Sequence, residues 1–279
     1  MNEKSPPSRA KSTISLVLSY GMSLILFLLV TVIVARFTLF SAEYHVRHIE
    51  KSGFADLAVF ELNEKLISYG NATGVPGEVM SKWLNADLVT EAATASVLNM
   101  FGEGSRYDTQ TFKNDALADL TRYAAAEGYV LDDEMKEGLD EIAQYCADIF
   151  SEYVWSNVHE MVVPYLLRYR SLLGAAIAGL SVLSLVLAVI LVLLNWPRMK
   201  AAARYGFFAF AAAAVCSAAA VMAVRVSGIF DHLNITPQSY NKLFSSLFSD
   251  MTTGYWIAFA PLLVCAALCL SVCIKRVSA

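Results

Sequence analysis

Four stretches of the chain carry no charged side chain: residues 14–35, 171–196, 205–224 and 255–274. Each meets the roughly 20 residues a helix needs to cross a hydrocarbon core about 30 Å thick. None alternates apolar and polar positions as a barrel strand does, and a helix satisfies its own backbone hydrogen bonds in lipid. The pattern predicts four transmembrane helices, over 14–40, 171–196, 205–224 and 255–274. The first run exceeds the apolar core of a cleavable leader, about 7–15 residues, so an uncleaved signal anchor is expected.

Residues 41–170 read as helices throughout, with no strand alternation. Phe54, Leu57, Ala58, Phe60, Leu62 and Ile67 mark a first helix over about 53–69, stopped at Gly70-Asn71. Shorter helices are expected around 78–84 and 88–101. Asp108 caps another, which Gly128 ends in the C′ position. The last helix has the sharpest pattern. Asp132 caps it, Asp133 and Glu134 sit in the first turn where the helix dipole favours acids, and a seam follows at heptad spacing: Met135, Leu139, Ile142, Cys146, Ile149 and Tyr153. Such a seam packs in the domain's own core or against a partner. This helix is expected to run through Trp155 and Val162 into span two, with a kink at Pro164. Span one is expected to extend to about Ile49, so that the domain stands on two helical stalks. In the loop over 225–254, Thr236 is a suitable N-cap and Pro237 a suitable first residue. An apolar stripe follows at Tyr240, Leu243, Phe244, Leu247, Phe248 and Met251, read as a membrane-interface helix or one lying on the larger domain. The expected fold class is all-α: a four-helix transmembrane bundle with an all-helical extracytoplasmic domain inserted between spans one and two.

Composition supports the membrane reading. Of 279 residues, 57% are hydrophobic and only 16% charged, against the usual quarter or so charged in a soluble domain. Charge also orients the chain. The tail 1–13, the loop 197–204 and the tail 275–279 hold eight basic residues against the single acid Glu3, and Lys/Arg-rich short segments stay cytoplasmic. Both termini are therefore expected inside a cell membrane, with the basic rim on anionic lipid headgroups and too small for nucleic acid. Residues 36–170, with 11 basic and 22 acidic side chains, then face outward. An acidic surface of that kind attracts cations or basic partners, although a merely solvated helix surface has the same composition.

Chemical motifs are sparse. No nucleophile elbow, zinc-protease helix or phosphate loop occurs, and the span interiors carry no ionisable Asp, Glu, Lys, Arg or His of the kind proton-coupled carriers use. No enzyme and no cofactor is expected. His45 and His48, with His159 on the other stalk, are the one metal-ligating constellation, suited to zinc or to pH sensing if the stalks bring them level. Cys265, Cys269 and Cys273 share one face of span four, and Cys146 stands alone outside the spans, so no intrachain disulfide is expected in the outer domain. Small residues at Gly174, Ala178, Gly179 and Ser181 in span two, and the alanines of span three, are read as compact helix packing. Two sequons, at Asn71 and Asn234, are treated as incidental.

This layout resembles a loose group of uncharacterised four-span membrane proteins of Gram-positive bacteria with a helical domain after the first span. It also resembles permease subunits of the cell-division and macrolide-export type in span count and orientation. It departs from those in its short N-tail, its all-helical outer domain and its inner loop of only residues 197–204. The expected function is a non-enzymatic multi-pass protein that binds or senses a ligand or partner through its outer domain, as a homo-oligomer or a subunit of an envelope complex. A transport component with a separate ATPase is the alternative.

Overall fold

A computed structural model describes residues 9–154, 157–196, 198–228 and 235–274; among them every regular element is a helix. The elements are α1 Arg9–Phe37, α2 Ala42–Lys51, α3 Phe54–Thr73, α4 Gly77–Met80, α5 Ala86–Met100, α6 Thr109–Ala126, α7 Asp133–Val154, α8 Asn157–Leu194, α9 Met199–Ser227 and α10 Gln238–Ile274. Within them, Ala10–Phe37, Leu167–Leu194, Met199–Ser227 and Gln238–Ile274 are long and apolar enough to cross a membrane. The chain divides into two compact units: one of residues 1–40, 169–231 and 248–279, the other of residues 41–168 and 232–247.

The unit of long helices is organised around α1 and α9. Ser15, Ser19 and Ser23 recur every fourth residue on α1 and are buried, as are the small side chains Ala209, Ala213 and Ala214 of α9. Small residues let two backbones approach, and their hydroxyls then find partners across the interface. Ser19 Oγ donates to the Tyr205 carbonyl at 2.7 Å, and Asn195 Nδ2 donates to Ser15 Oγ at 3.1 Å. Phe259 and Leu262 of α10 complete this core with Met22, Leu26, Val30 and Val34 of α1. On the cysteine face of α10, Cys269 packs against α9: its Sγ lies 3.3 Å from where a side chain on Gly206 would begin. Span two departs from expectation. Among the described residues, Gly174 and Gly179 have no heavy atom within 4 Å of a Cβ position, and Ala178 and Ser181 are exposed. The inward side of α8 uses Leu187 and Ala188 instead.

The second unit packs α3, α5, α6 and α7 around one core. Phe54, Ala58, Leu62 and Leu66 of α3 meet Val89 and Ala92 of α5, Phe112, Ala116 and Leu120 of α6, and Ala143, Cys146 and Phe150 of α7. Phe112 and Phe150 stack with centroids 4.4 Å apart and planes 8° apart. Each large apolar side chain removed from water contributes about 1.5–3 kcal/mol, which outweighs the weak intrinsic preference of the shorter helices. The caps read from sequence are in place. Asp108 accepts from Gln110 N at 3.0 Å, Asp132 accepts from Met135 N at 2.8 Å, and Gly128 takes the left-handed φ of +81° beyond α6.

Several boundaries differ from expectation. Span one does not continue to Ile49. It stops at Phe37, and Ser41, in extended backbone, accepts from Tyr44 N to start α2 as a separate helix. Gly70 does not stop α3, which runs on to Thr73 and ends at Gly74 with φ +78°. The helix expected near 78–84 is the single turn α4. The loop helix and span four are one continuous helix, α10. Its first amides are capped by Glu61 of α3, not by Thr236: the Glu61 carboxylate accepts from Gln238 N at 2.7 Å and from Ser239 N at 3.2 Å. A carboxylate at a helix N-terminus meets both the unpaired amides and the favourable end of the dipole. The junction at Trp155 and the side chains of Val162 and Pro164 lie outside the described residues, as do the tails with Lys4, Lys275 and Arg276.

Candidate ligand-binding groove

On α3, Glu61, Lys65, Ser68 and Ala72 recur at intervals of four, three and four residues, which places them on one helix face beside the buried Leu62 and Leu66. On α7, Tyr145, Asp148, Ile149, Glu152 and Tyr153 form the corresponding face beside the buried Cys146 and Phe150. Where the two helices run alongside each other these faces enclose an open groove of about 890 Å³, with Glu64 and Tyr69 completing the wall. Tyr69 of α3 and Tyr145 of α7 pack directly on each other at its wall, with centroids 3.8 Å apart and planes tilted by 30°.

The groove is strongly acidic and already handles a cation. Glu61, Glu64, Asp148 and Glu152 face the single ammonium of Lys65. That ammonium sits 5.0 Å from the Tyr153 ring centroid and 4.0 Å from Glu152 Oε2, a cation held between an aromatic face and a carboxylate. Burial, reinforced by the charges of Glu61, Glu152 and Glu64, pushes the Tyr153 phenol up to about 12. Tyr69 is raised too, by burial first and then by Cys146, Tyr145 and Glu141. The four acids are not equivalent. Glu61 is engaged at the N-terminus of α10, and Asp148 accepts a hydrogen bond from Gln144 Nε2 at 2.8 Å. Cys146, beside the groove face of α7, is fully buried and its thiol is pushed up to about 12 by burial, which makes it a poor nucleophile.

A second groove, of about 690 Å³, lies between α5 and α6 and includes Trp83, Tyr107 and Asp119. Its central acid is internally satisfied. Asp119 accepts from Trp83 Nε1 at 3.1 Å and pairs with Lys82 at 3.4 Å and with Arg122. Burial alone would raise the Asp119 carboxyl, but Lys82 and Arg122 outweigh it and hold the group below its ordinary range. This arrangement staples α6 to the turn before α5.

Of the residues singled out in sequence, Ile149 and Tyr153 line the groove and the others fall elsewhere. Leu139, Cys146, Ile149 and Tyr153 of the α7 seam are buried in the unit's core, and Met135 and Ile142 pack against it. Tyr240, Leu243, Phe244 and Leu247 of the interface stripe also join that core, with Tyr240 Oη donating to the Tyr153 carbonyl at 2.7 Å. Phe248 begins the portion of α10 that belongs to the other unit, where Met251 packs. The stripe thus meets protein where a membrane interface was one expectation. Of the three histidines of the expected metal site, His45 and His48 have described side chains. His48 is buried with Nδ1 3.0 Å from Ser246 Oγ, His45 lies against Phe101 at 5.5 Å, and the side chain of His159 is outside the described residues. Among the described residues no three His, Cys, Asp or Glu side chains are placed to hold a metal ion.

The groove itself was not found from sequence. Its lining is ordinary in composition, and only the pairing of α3 with α7 brings Tyr69 to Tyr145 and Lys65 to Tyr153. The available signal was acid and tyrosine recurring beside the apolar stripe on both helices. Comparison of the chain with protein-family models, with curated proteins and with solved structures returns no match.

Proposed function

We propose that this chain is a non-enzymatic multi-pass membrane protein that displays the helical unit of residues 41–168 on the outer side of the membrane and binds a ligand there. The observation that carries the reading is the α3–α7 groove: open, lined by two mutually packed tyrosines, and with three more carboxylates than ammonium groups. Ligand sites are typically concave, with a few convergent polar groups set among aromatic or apolar side chains. The outward orientation rests on the basic residues of the short segments 1–13, 197–204 and 275–279.

Two measurements test the two parts. A membrane-impermeant thiol reagent added to intact cells should label Asn71→Cys and leave Met199→Cys unlabelled; the reverse pattern overturns the orientation. For binding, thermal-shift screening of the full chain in mild detergent against cationic, neutral and anionic small molecules should give hits that Glu152→Gln or Tyr145→Ala weakens. Hits insensitive to both substitutions, or none in any charge class, remove the groove as the binding surface.

A further inference from the structure

The groove's chemistry narrows its ligand. Lys65 is itself an alkylammonium chain, and it lies with its charge over Tyr153 and toward Glu152. The walls therefore already accommodate a primary ammonium on a methylene stem, in contact with solvent where a competing ammonium can replace it. Asp148 and Glu152 stand one helical turn apart, about 6 Å along α7. Nitrogens separated by three or four methylenes are about 5–6 Å apart when extended, so one such ligand matches both carboxylates. The mutually packed rings of Tyr69 and Tyr145 present their groove-lining edges to the methylenes. The volume of about 890 Å³ falls within the usual range of small-molecule sites. An inorganic divalent ion is a poorer match, since the described residues hold no set of three ligands closed to metal distance.

We propose that the α3–α7 groove binds a linear polyamine, its ammonium groups on Glu64, Asp148 and Glu152 and its methylene chain along Tyr69 and Tyr145. Lys65 is the internal competitor for the same place. The proposal rests on the reading of the groove as the ligand surface, and it adds the chemical class.

The test is calorimetric titration of the full chain in mild detergent with spermidine at physiological ionic strength. Glu152 and Lys65 have exposed side chains, so their substitution leaves the core intact. Saturable binding at one site per chain is expected. Glu152→Gln and Asp148→Asn should each weaken it about three- to fivefold, as suits solvent-exposed ion pairs. Lys65→Gln should tighten it by a similar factor. Lys136→Gln makes the same charge change about 18 Å from Asp148 along α7, beyond the screening length of about 8 Å, and should leave affinity unchanged. Equal tightening by Lys65→Gln and Lys136→Gln would show a diffuse charge effect and overturn the proposal, as would displacement of spermidine by equimolar magnesium. If spermidine does not bind but another cationic molecule does, in a manner sensitive to Glu152→Gln, the polyamine assignment fails and the groove reading stands. If no ligand responds to groove substitutions, both fall.

Discussion

Gly70 and Gly138 both lie inside helices, and on helix propensity alone Gly→Ala at either is the same improvement. Alanine is preferred to glycine in a helix interior by about 0.8–1.0 kcal/mol. At Gly138 in α7 a new Cβ would meet nothing within 4 Å, so this gain stands alone and Gly138→Ala should stabilise the unit by about 1 kcal/mol. At Gly70 in α3 the same Cβ would lie 2.6 Å from Met80 Cγ and 2.7 Å from the Val75 carbonyl oxygen. Neither neighbour yields easily. Met80 is fully buried, and Val75 is held by its own amide donating to the Gly70 carbonyl at 2.9 Å. Overpacking of this kind costs about 1–3 kcal/mol, and two simultaneous overlaps, one with backbone, put Gly70 in the upper part of that range. Subtracting the propensity gain leaves Gly70→Ala destabilising by about 1–2 kcal/mol. Cys146 provides the assay because it is fully buried in the same core. In a full-length chain keeping Cys146 as its single thiol, maleimide labelling requires opening of the unit, so its rate follows the opening equilibrium. Gly70→Ala should speed labelling about 5–30-fold, and Gly138→Ala should slow it about fivefold. If both substitutions slow labelling, the close approach of Val75 and Met80 to α3 is wrong.

Leu139→Asp in the seam should destabilise the same unit by several kcal/mol, because a buried, unpaired carboxylate adds to the lost packing, while Glu141→Asp on the outer face of α7 should be near neutral. Urea titration followed by aromatic fluorescence separates them, and equal midpoints would refute the core assignment of the seam. Alkaline pH should weaken the unit in a defined window. The Cys146 thiol moves from an ordinary 9.0, and the Tyr153 phenol from an ordinary 10.0, each to about 12 when folded, so the unfolded chain loses these protons first. Their contribution is fully present below about pH 9, declines as pH rises and levels off above about 12. Melting temperatures measured across that range should fall less for the double variant Cys146→Ala, Tyr153→Phe; an unchanged slope would refute the burial of both groups.

The helices themselves were largely legible because their causes are local. A charge-free run long enough to span a bilayer, an aspartate before an apolar period and a glycine after it each act within a few residues, so the four long apolar helices and the boundaries at Asp108, Gly128 and Asp132 are where the pattern puts them. Two judgements failed because they depended on a distant neighbour. Gly70 reads as a stop, yet α3 continues through it because the chain at Val75 and Met80 closes onto that face. Thr236 reads as a cap, yet the carboxylate that meets the first amides of α10 comes from Glu61, far away in the chain. The stripe from Tyr240 to Leu247 is amphipathic in sequence whatever covers it, and only the fold supplies the core of the helical unit as its partner. The groove belongs to this second class. Hydrophobic period determines that α3 and α7 each bury one face, but the residues flanking that face become a site only when the two helices lie side by side. Periodicity specifies how each helix is rotated toward a core and says nothing about which helix it meets there, because that choice is made by packing among side chains distant in sequence.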